Sequence, residues 1–345
     1  MKKILFFLTL AILVFLFSFK TKSGEWSALS ENNLNEMSLD EVRMALGGEK
    51  SEHYMADFNP EKAKIGLELI LNGKRKKGFF KSKAISSYFV CTDCHNLKAE
   101  FSDPADQNPE NRLKYARKNN MPFLPGSTFW GIYNRKTFYN DDYVKKYGEL
   151  IDKAKNSLPA SIQVCAKYCS SGRKLKDWEL EAILHYFKQT ELRLKDIQLT
   201  FDQKESIANI KKLSTQEKKD LLKVIESKYT SGYSAHFLET MPRDQRKYGA
   251  GGDAENGKYI YDNSCLFCHL NGRVTYLKLD NDKLSARLFL KNKTNYSDLS
   301  IYQIIRQGTY AMPGRNQYMP RFTKDKMSDQ QIEDLMAYLN QLAEK

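Results

Sequence analysis

The sequence predicts a mainly α-helical protein with two similar halves. Apolar residues recur at helical spacing over residues 175–187 and again over 332–342, where Ser328-x-x-Gln331 forms a capping box ahead of the helix. No alternating apolar–polar run is long enough to predict a substantial strand. Because 345 residues exceed what one hydrophobic core usually serves, two domains are expected.

The N-terminus predicts a targeting segment, residues 1–22. Lys2 and Lys3 precede an apolar run over residues 4–19, as in the basic head and apolar region of a secretory signal. The run is shorter than the roughly 20 residues of a spanning helix, yet no Ala-x-Ala cleavage site follows it. A cleaved signal peptide and a retained N-terminal anchor therefore both stay open. Either one places the rest of the chain outside the cytoplasm.

Composition changes divide the remainder into four segments. Residues 23–60 are predicted to be a leader with a helix beginning near Ser38, and residues 196–240 a linker of highly charged helices with a capping box at Ser214-x-x-Glu217. The segments 61–195 and 241–345 are the two predicted domains.

The composition narrows the class of protein. With 41% apolar and 28% charged residues, a disordered, collagen-like or wholly membrane-embedded chain is excluded. The formal net charge of +13, with one tight cluster at Lys74–Lys77, predicts either a solvated basic face or steering toward an acidic redox partner or anionic substrate. Nucleic acid is not expected as the partner of an exported protein of this kind.

The cysteines provide the strongest signal. The motif C-x-x-C-H, which attaches c-type haem, occurs twice, and its residues are Cys91, Cys94 and His95, then Cys265, Cys268 and His269. Two thiols at this spacing add to the vinyl groups of one porphyrin, and the adjacent histidine becomes an iron ligand. A zinc ribbon would need its two C-x-x-C pairs much closer together. The sequence thus predicts two covalently bound haem c groups.

The second half, from Gly252 through the last helix, resembles a single-haem bacterial cytochrome c. In that family a methionine ahead of the last helix is the distal iron ligand, and Met319 matches it in the run Met-Pro-x-Phe. Met312 is the rival ligand, and a core-filling methionine is the alternative for either. The resemblance implies His269 and Met319 as the iron ligands of the second haem, with a thioether that raises the reduction potential.

Residues 66–187 resemble, more weakly, the haem domains of thiosulfate dehydrogenases and related sulfur-oxidising dihaem cytochromes. Ile162-x-x-Cys165 and Gly172 fit their pattern, but Ser170 stands where those proteins have a methionine. The resemblance therefore implies Cys165 or Cys169 as the distal ligand of the first haem, without deciding between them. A Cys165–Cys169 disulfide, ligation by Met121 or His185, or an open site remain alternatives.

Other residues have less specific expectations. His185 is expected on the polar, solvated side of its helix. His53 and His236 are less favoured candidates for a haem ligand than the cysteines. Trp130 and Tyr133 are expected to pack against the first haem, and Arg135 to pair with a propionate or a substrate.

Two tandem cytochrome c domains joined by a helical linker are thus the predicted fold. Three functions remain open: a dihaem electron carrier, a thiosulfate dehydrogenase-like oxidoreductase with its reaction site at the cysteine-ligated first haem, and an assembly subunit of a respiratory complex. Each places the protein in the periplasm or on the outer face of the cytoplasmic membrane, attached there by its N-terminus if the anchor is retained.

Overall fold

The structure is a computed structural model that describes residues 31–77, 80–229, 232, 235–272, 274–297, 299–309 and 319–345. The predicted targeting segment 1–22 and Met312 lie outside the described residues. Within them the chain is mainly helical, which confirms the predicted fold class. The described strands form one short antiparallel hairpin, β1 (Lys76–Lys77) and β2 (Phe80–Lys81). No described helix is both long and apolar enough to cross a membrane.

The helices follow the caps and apolar spacings of the sequence. Ser38, Ser214 and Ser328 cap their helices as predicted, each through its side-chain oxygen. In chain order the α-helices are α1 (Glu31–Asn35), α2 (Leu39–Ala45), α3 (Pro60–Asn72), α4 (Pro109–Asn119), α5 (Asp141–Tyr147), α6 (Leu158–Val164), α7 (Asp177–Gln189), α8 (Phe201–Ala208), α9 (Thr215–Ser227), α10 (Ala254–Ile260), α11 (Leu266–His269), α12 (Lys283–Lys291), α13 (Ile301–Gln307) and α14 (Asp329–Glu344). Two π-helical turns, Cys165–Cys169 and Tyr261–Cys265, carry cysteines singled out above.

Each half contains a pair of helices that cross at a glycine. α3 crosses α7 at Gly66, where a Cβ atom would lie 2.1 Å from the carbonyl oxygen of Ala182. α10 crosses α14 at Gly257, where a Cβ atom would lie 1.9 Å from the carbonyl oxygen of Asp334. Such distances leave no room for a side chain, so both glycines allow close backbone approach. The repeated crossing agrees with two halves of similar construction.

Replacement of Gly257 by alanine is expected to lower the free energy of unfolding by about 1–3 kcal/mol, because α10 and α14 must move apart. This loss outweighs the gain in helix propensity of about 0.5–1 kcal/mol. Chemical denaturation measures it. Glu255→Ala on the same helix, whose side chain is 87% exposed, is the control and should change stability by less than about 0.5 kcal/mol. An unchanged Gly257→Ala variant would contradict the tight crossing.

Four apolar clusters hold the described elements together, and the smallest of them consists of Ile151, Ala154 and Val164. The first core combines α3 and α7 with residues 129–138, and the second combines α10, α13 and α14. α4 packs in the second core through Leu113 and Ala116, although it lies in the predicted first domain. The third core joins α2 of the leader to α8 and α9 of the predicted linker. The leader and the linker thus pack against each other through apolar residues, although both sequences are rich in charged residues.

Candidate functional site

The first C-x-x-C-H motif lies on a short 3₁₀ turn, Cys91–Asp93. The amide of Val90 donates to Asp93 Oδ2 at 2.7 Å, and the amide of His95 donates to the carbonyl of Cys91 at 3.1 Å. These bonds close the turn from both sides. As a result Cys91, Cys94 and His95 line the same cavity.

The imidazole of His95 is fixed through one nitrogen. Its Nδ1 lies 2.6 Å from the carbonyl oxygen of Ser127, to which it donates, and its ring stacks on Phe129 with centroids 4.5 Å apart. A Cβ atom on Gly126 would lie 2.6 Å from His95 Nδ1, so glycine is required beside the ring. Burial lowers the pKa of His95 to about 4, which keeps the ring neutral. A neutral imidazole held at Nδ1 presents Nε2 to a metal.

The cavity in front of His95 fits a large apolar cofactor with charged edges. The space between its walls is about 1520 Å³ when the mouth open to solvent is included. Arg135, Lys146 and Arg321 add cationic side chains to the lining, as propionate groups require. Most of the wall is apolar, and its members include Ile70, Ile85, Phe89, Val90, Phe129, Ile132, Phe138, Ile162, Leu175, Ile183, Phe187 and Phe237.

Cys165 and Cys169 both line this cavity, so the structure brings both predicted thiols to the first site. No disulfide joins any of the six cysteines. Cys169 Sγ lies 3.2 Å from the hydroxyl of Tyr147 and 3.9 Å from that of Tyr139. A hydrogen bond from the Cys165 thiol lowers the pKa of Cys169 to about 6, against the effect of burial, and raises the pKa of Cys165. Cys169 is therefore the more acidic thiol of the pair.

The turn after these cysteines is held by its own hydrogen bonds. The Ser170 hydroxyl donates to the carbonyl of Ala166 at 2.7 Å, and the Ser170 carbonyl accepts from Ser86 at 2.7 Å. A Cβ atom on Gly172 would lie 2.4 Å from the carbonyl oxygen of Ile85. Ser170 thus stabilises the backbone of the turn.

The aromatic residues expected at the first haem are corrected by the structure. Trp130 and Tyr133 are not among the residues that line the cavity, whereas their neighbours Phe129 and Ile132 are. The chain turns at Gly131, whose φ is 70°, and this turn directs the pair elsewhere. The Tyr133 hydroxyl donates to the carbonyl of His53 at 3.0 Å, and Trp130 packs against the third core. Arg135 lines the cavity, and its pairing with a propionate or a substrate stays a prediction.

The expectation of a solvated His185 is wrong. The leader covers this side of α7, so His185 is buried, accepts a hydrogen bond at Nδ1 from the amide of Asn59 at 3.3 Å and packs near Phe58. His53 Nε2 lies 2.8 Å from the carbonyl oxygen of Tyr133. Met121 belongs to the second core. None of the three lines the cavity.

The remaining histidine outside the motifs, His236, lies at the surface. Its Nδ1 is 3.0 Å from Asp325 Oδ1, and its amide donates to the other oxygen of that carboxylate at 2.9 Å. It is not among the cavity residues either. The residues that line the described cavity therefore include Cys165 and Cys169, and no histidine besides His95.

The second motif repeats the arrangement of the first histidine. The π-helical turn Tyr261–Cys265 continues into α11, which carries Cys268 and His269. His269 Nδ1 lies 2.8 Å from the carbonyl oxygen of Leu277, and burial lowers the pKa of His269. The ring is again neutral and fixed through Nδ1, which suits metal binding through Nε2.

Met319 is anchored to the end of α13. Its amide donates to the hydroxyl of Thr309 at 2.5 Å, and the amide of Thr309 donates to its carbonyl at 2.8 Å. A Cβ atom on Gly308 would lie 2.3 Å from the Met319 carbonyl oxygen, so the two segments touch. Pro320 and Arg321, the next two residues, reach the cavity of the first site.

The two motifs lie against each other. The Cys268 thiol donates to the carbonyl oxygen of Asp93, between the two cysteines of the first motif, at a distance of 3.9 Å. Close by, the amide of Phe123 donates to the carbonyl of Asn263 at 2.9 Å. Sequence analysis did not predict this contact, because the residues are far apart in the chain.

Similarity to known proteins supports part of this arrangement. A family-model match over residues 252–339 supports a cytochrome c domain there, and such a domain implies covalently bound haem c with iron and electron transfer. The family model matched over these residues is described as cytochrome c oxidase, cbb3-type, subunit III, and the match includes Cys265, Cys268, His269 and Met319. It covers about a quarter of the chain. Neither a curated protein nor a solved structure matches significantly.

Proposed function

We propose that this protein is a dihaem c-type cytochrome that transfers electrons outside the cytoplasm. The observation that carries the proposal is the 3.9 Å contact between Cys268 Sγ and the carbonyl of Asp93. It joins a motif within the matched cytochrome c domain to a second motif of the same chemistry. Two attachment segments in contact bring two redox groups close together, as electron transfer between them requires.

At each site, different residues attach the haem and bind its iron. Cys91 and Cys94 bind the first haem covalently, and Cys265 and Cys268 bind the second. His95 and His269 supply the proximal nitrogens, which the carbonyls of Ser127 and Leu277 orient. Met319 supplies the distal thioether of the second site. Haem c, when bound, supplies the one-electron redox chemistry.

The direction and place of transfer follow from the same features. A thioether ligand favours ferrous iron, so the second site is the electron exit of the pair. The net charge of +13 favours an acidic redox partner at that exit. The basic and apolar N-terminal segment 1–22 supports export to the periplasm or the outer face of the cytoplasmic membrane.

Haem content tests the proposal directly. The full chain, produced in a host that attaches haem c, is expected to carry two haems per chain in a pyridine haemochrome assay combined with intact mass spectrometry. Replacing both Cys91 and Cys94 with serine should remove one haem and leave the other. Lys167→Ala, at an exposed position, is the control and should retain both. A single haem in the unaltered chain would contradict the dihaem proposal.

A second function, oxidation of a small anionic sulfur compound such as thiosulfate at the first site, has its own supporting observation. Cys169 Sγ lies 3.2 Å from the Tyr147 hydroxyl in a cavity that Arg135, Lys146 and Arg321 also line. A stabilised thiolate is a ligand for iron and a nucleophile toward sulfur. Cationic side chains favour an anionic substrate there.

EPR spectroscopy and the reduction of haem by thiosulfate distinguish the electron carrier from the enzyme. For the enzyme we expect a low-spin thiolate-type ferric EPR signal beside a His/Met signal, together with haem reduction by thiosulfate. Cys165→Ser and Cys169→Ser separate the two thiols. The variant that loses the thiolate-type EPR signal and the reduction by thiosulfate, while the His/Met signal remains, identifies the residue on the iron. If neither replacement changes the EPR spectrum, the cysteines are not ligands and the carrier remains.

A further inference from the structure

Two thiols share the first cavity, whereas a distal ligand requires only one. Cys165 and Cys169 stand at the two ends of a single π-helical turn, and both line the cavity in front of His95. Both side chains are partly exposed to the open cavity. Ligation of the iron therefore leaves one of the two thiols without a function.

We propose that Cys165 and Cys169 form a reversible dithiol/disulfide couple that stores two electrons beside the first site. On oxidation the two S–H bonds break and one Sγ–Sγ bond forms. Two protons leave to solvent through the mouth of the cavity, and two electrons pass to two one-electron acceptors, the class to which ferric haems belong. The proposal rests on the proposed function, because the two haems of one chain match the two electrons in number.

The turn places the sulfurs for bond formation. Residues four apart on a helical turn have Cα atoms about 6 Å apart, within the range of about 4.4–6.8 Å that disulfides use. An ideal α-helix aims the Cβ atoms of such a pair poorly, but this segment is wound as a π-helical turn, and both of its cysteines face one cavity. Bond formation therefore needs a shift of the side chains more than of the backbone.

The surrounding backbone holds the turn in place. The amide of Ser170 donates to the carbonyl of Cys165 at 2.9 Å, and that of Gly172 donates to the carbonyl of Ala166 at 3.1 Å. The hydroxyl of Tyr147 lies 3.2 Å from Cys169 Sγ, where it stabilises the thiolate that loses an electron. A sulfur bound to iron is not available to the other sulfur, so disulfide formation and thiolate ligation exclude each other.

An oxidative titration of the haem-loaded full chain tests the couple. The protein is reduced anaerobically with dithiothreitol, freed of reductant and titrated with ferricyanide while the haem absorption is followed. We expect about four electron equivalents per chain, against about two for Cys169→Ser. Lys167→Ala, which leaves both thiols in the same turn, should again take about four.

Mass spectrometry supplies a readout independent of the haems. After oxidation and alkylation with iodoacetamide under denaturing conditions, the peptide with Cys165 and Cys169 should be two hydrogens lighter and unalkylated. In the reduced sample it should carry two alkyl groups. These results together support the couple.

Three outcomes would overturn the couple. If both haems titrate while both thiols stay open to alkylation, the couple fails and the dihaem function stands. If the peptide stays linked in the reduced sample, the bond is permanent and the couple also fails. A chain without the absorption of covalent haem refutes the proposed function, and the couple falls with it because its acceptors are missing.

Discussion

Replacement of Glu100 by alanine is expected to lower the free energy of unfolding by about 3–5 kcal/mol. Glu100 is only 4% exposed, yet its carboxylate accepts hydrogen bonds from Arg112 Nη2 at 2.8 Å and from Lys326 Nζ at 2.9 Å. Asn96 donates to the same carboxylate at 2.9 Å. Alanine would leave two buried cations without their anion, which is the costly way to break a buried ion pair.

The network also connects the two halves, since Arg112 Nη1 donates to the carbonyl of Lys326 at 2.9 Å. Chemical denaturation of the haem-loaded chain measures the loss. Glu181→Ala, which breaks a half-exposed pair with Lys62, is the control and should cost less than about 1 kcal/mol. A loss as small at Glu100 as at Glu181 would show that the network adds little to stability.

Acid should weaken the same network. Arg112 and Lys326 lower the pKa of Glu100 against the effect of burial. A carboxyl group with a lowered pKa in the folded state stabilises the protein above its unfolded pKa of about 4.3, and this stabilisation is lost as the pH falls further. Glu100→Gln lacks the titrating group, so its stability should depend less steeply on pH below about 4.3. Equal slopes for both proteins would exclude Glu100 as a source of acid sensitivity.

The second large effect is expected from Met319→Leu, which keeps the side-chain volume and removes the thioether. If Met319 is the distal ligand of the second haem, the midpoint potential of that haem should fall by on the order of 100 mV, because thioether ligation stabilises ferrous iron. The absorption band of methionine-ligated ferric haem should vanish at the same time. Potentiometry with optical detection measures both.

Met327→Leu is the matched control for this experiment. Met327 is 1% exposed and belongs to the second core, so the exchange should change stability by less than about 1.5 kcal/mol and leave the potential unchanged. The same exchange at Met312 distinguishes the rival ligand. If the band survives in Met319→Leu but vanishes in Met312→Leu, Met312 is the ligand.

Several features were predictable because their physical cause is local. A C-x-x-C-H motif needs only five consecutive residues, and a capping box such as Ser328-x-x-Gln331 only four. The helical periodicity over 332–342 likewise predicted α14, which spans Asp329–Glu344. The match over residues 252–339 supports the resemblance of the second half. These signals predicted the helical class, and the family match supports a cytochrome c domain in the second half.

Packing decided the features that no local pattern contains. Sequence analysis placed His185 in solvent because its helix has a polar side there, but the leader covers that side. It assigned Trp130 to the first haem, whereas the turn at Gly131 brings Phe129 to the cavity. The first error came from a segment that is remote in sequence, and the second from a local change of chain direction.

The sequence by itself therefore indicated the residues that are proposed to carry the chemistry: the two motifs, the thiols Cys165 and Cys169, and Met319. Only the tertiary structure decided that the motifs touch, that both thiols share one cavity, and that Glu100 is buried between Arg112 and Lys326. The reason is physical. Covalent attachment and helix formation depend on near neighbours, whereas these contacts form when segments far apart in the chain bury their apolar surfaces together.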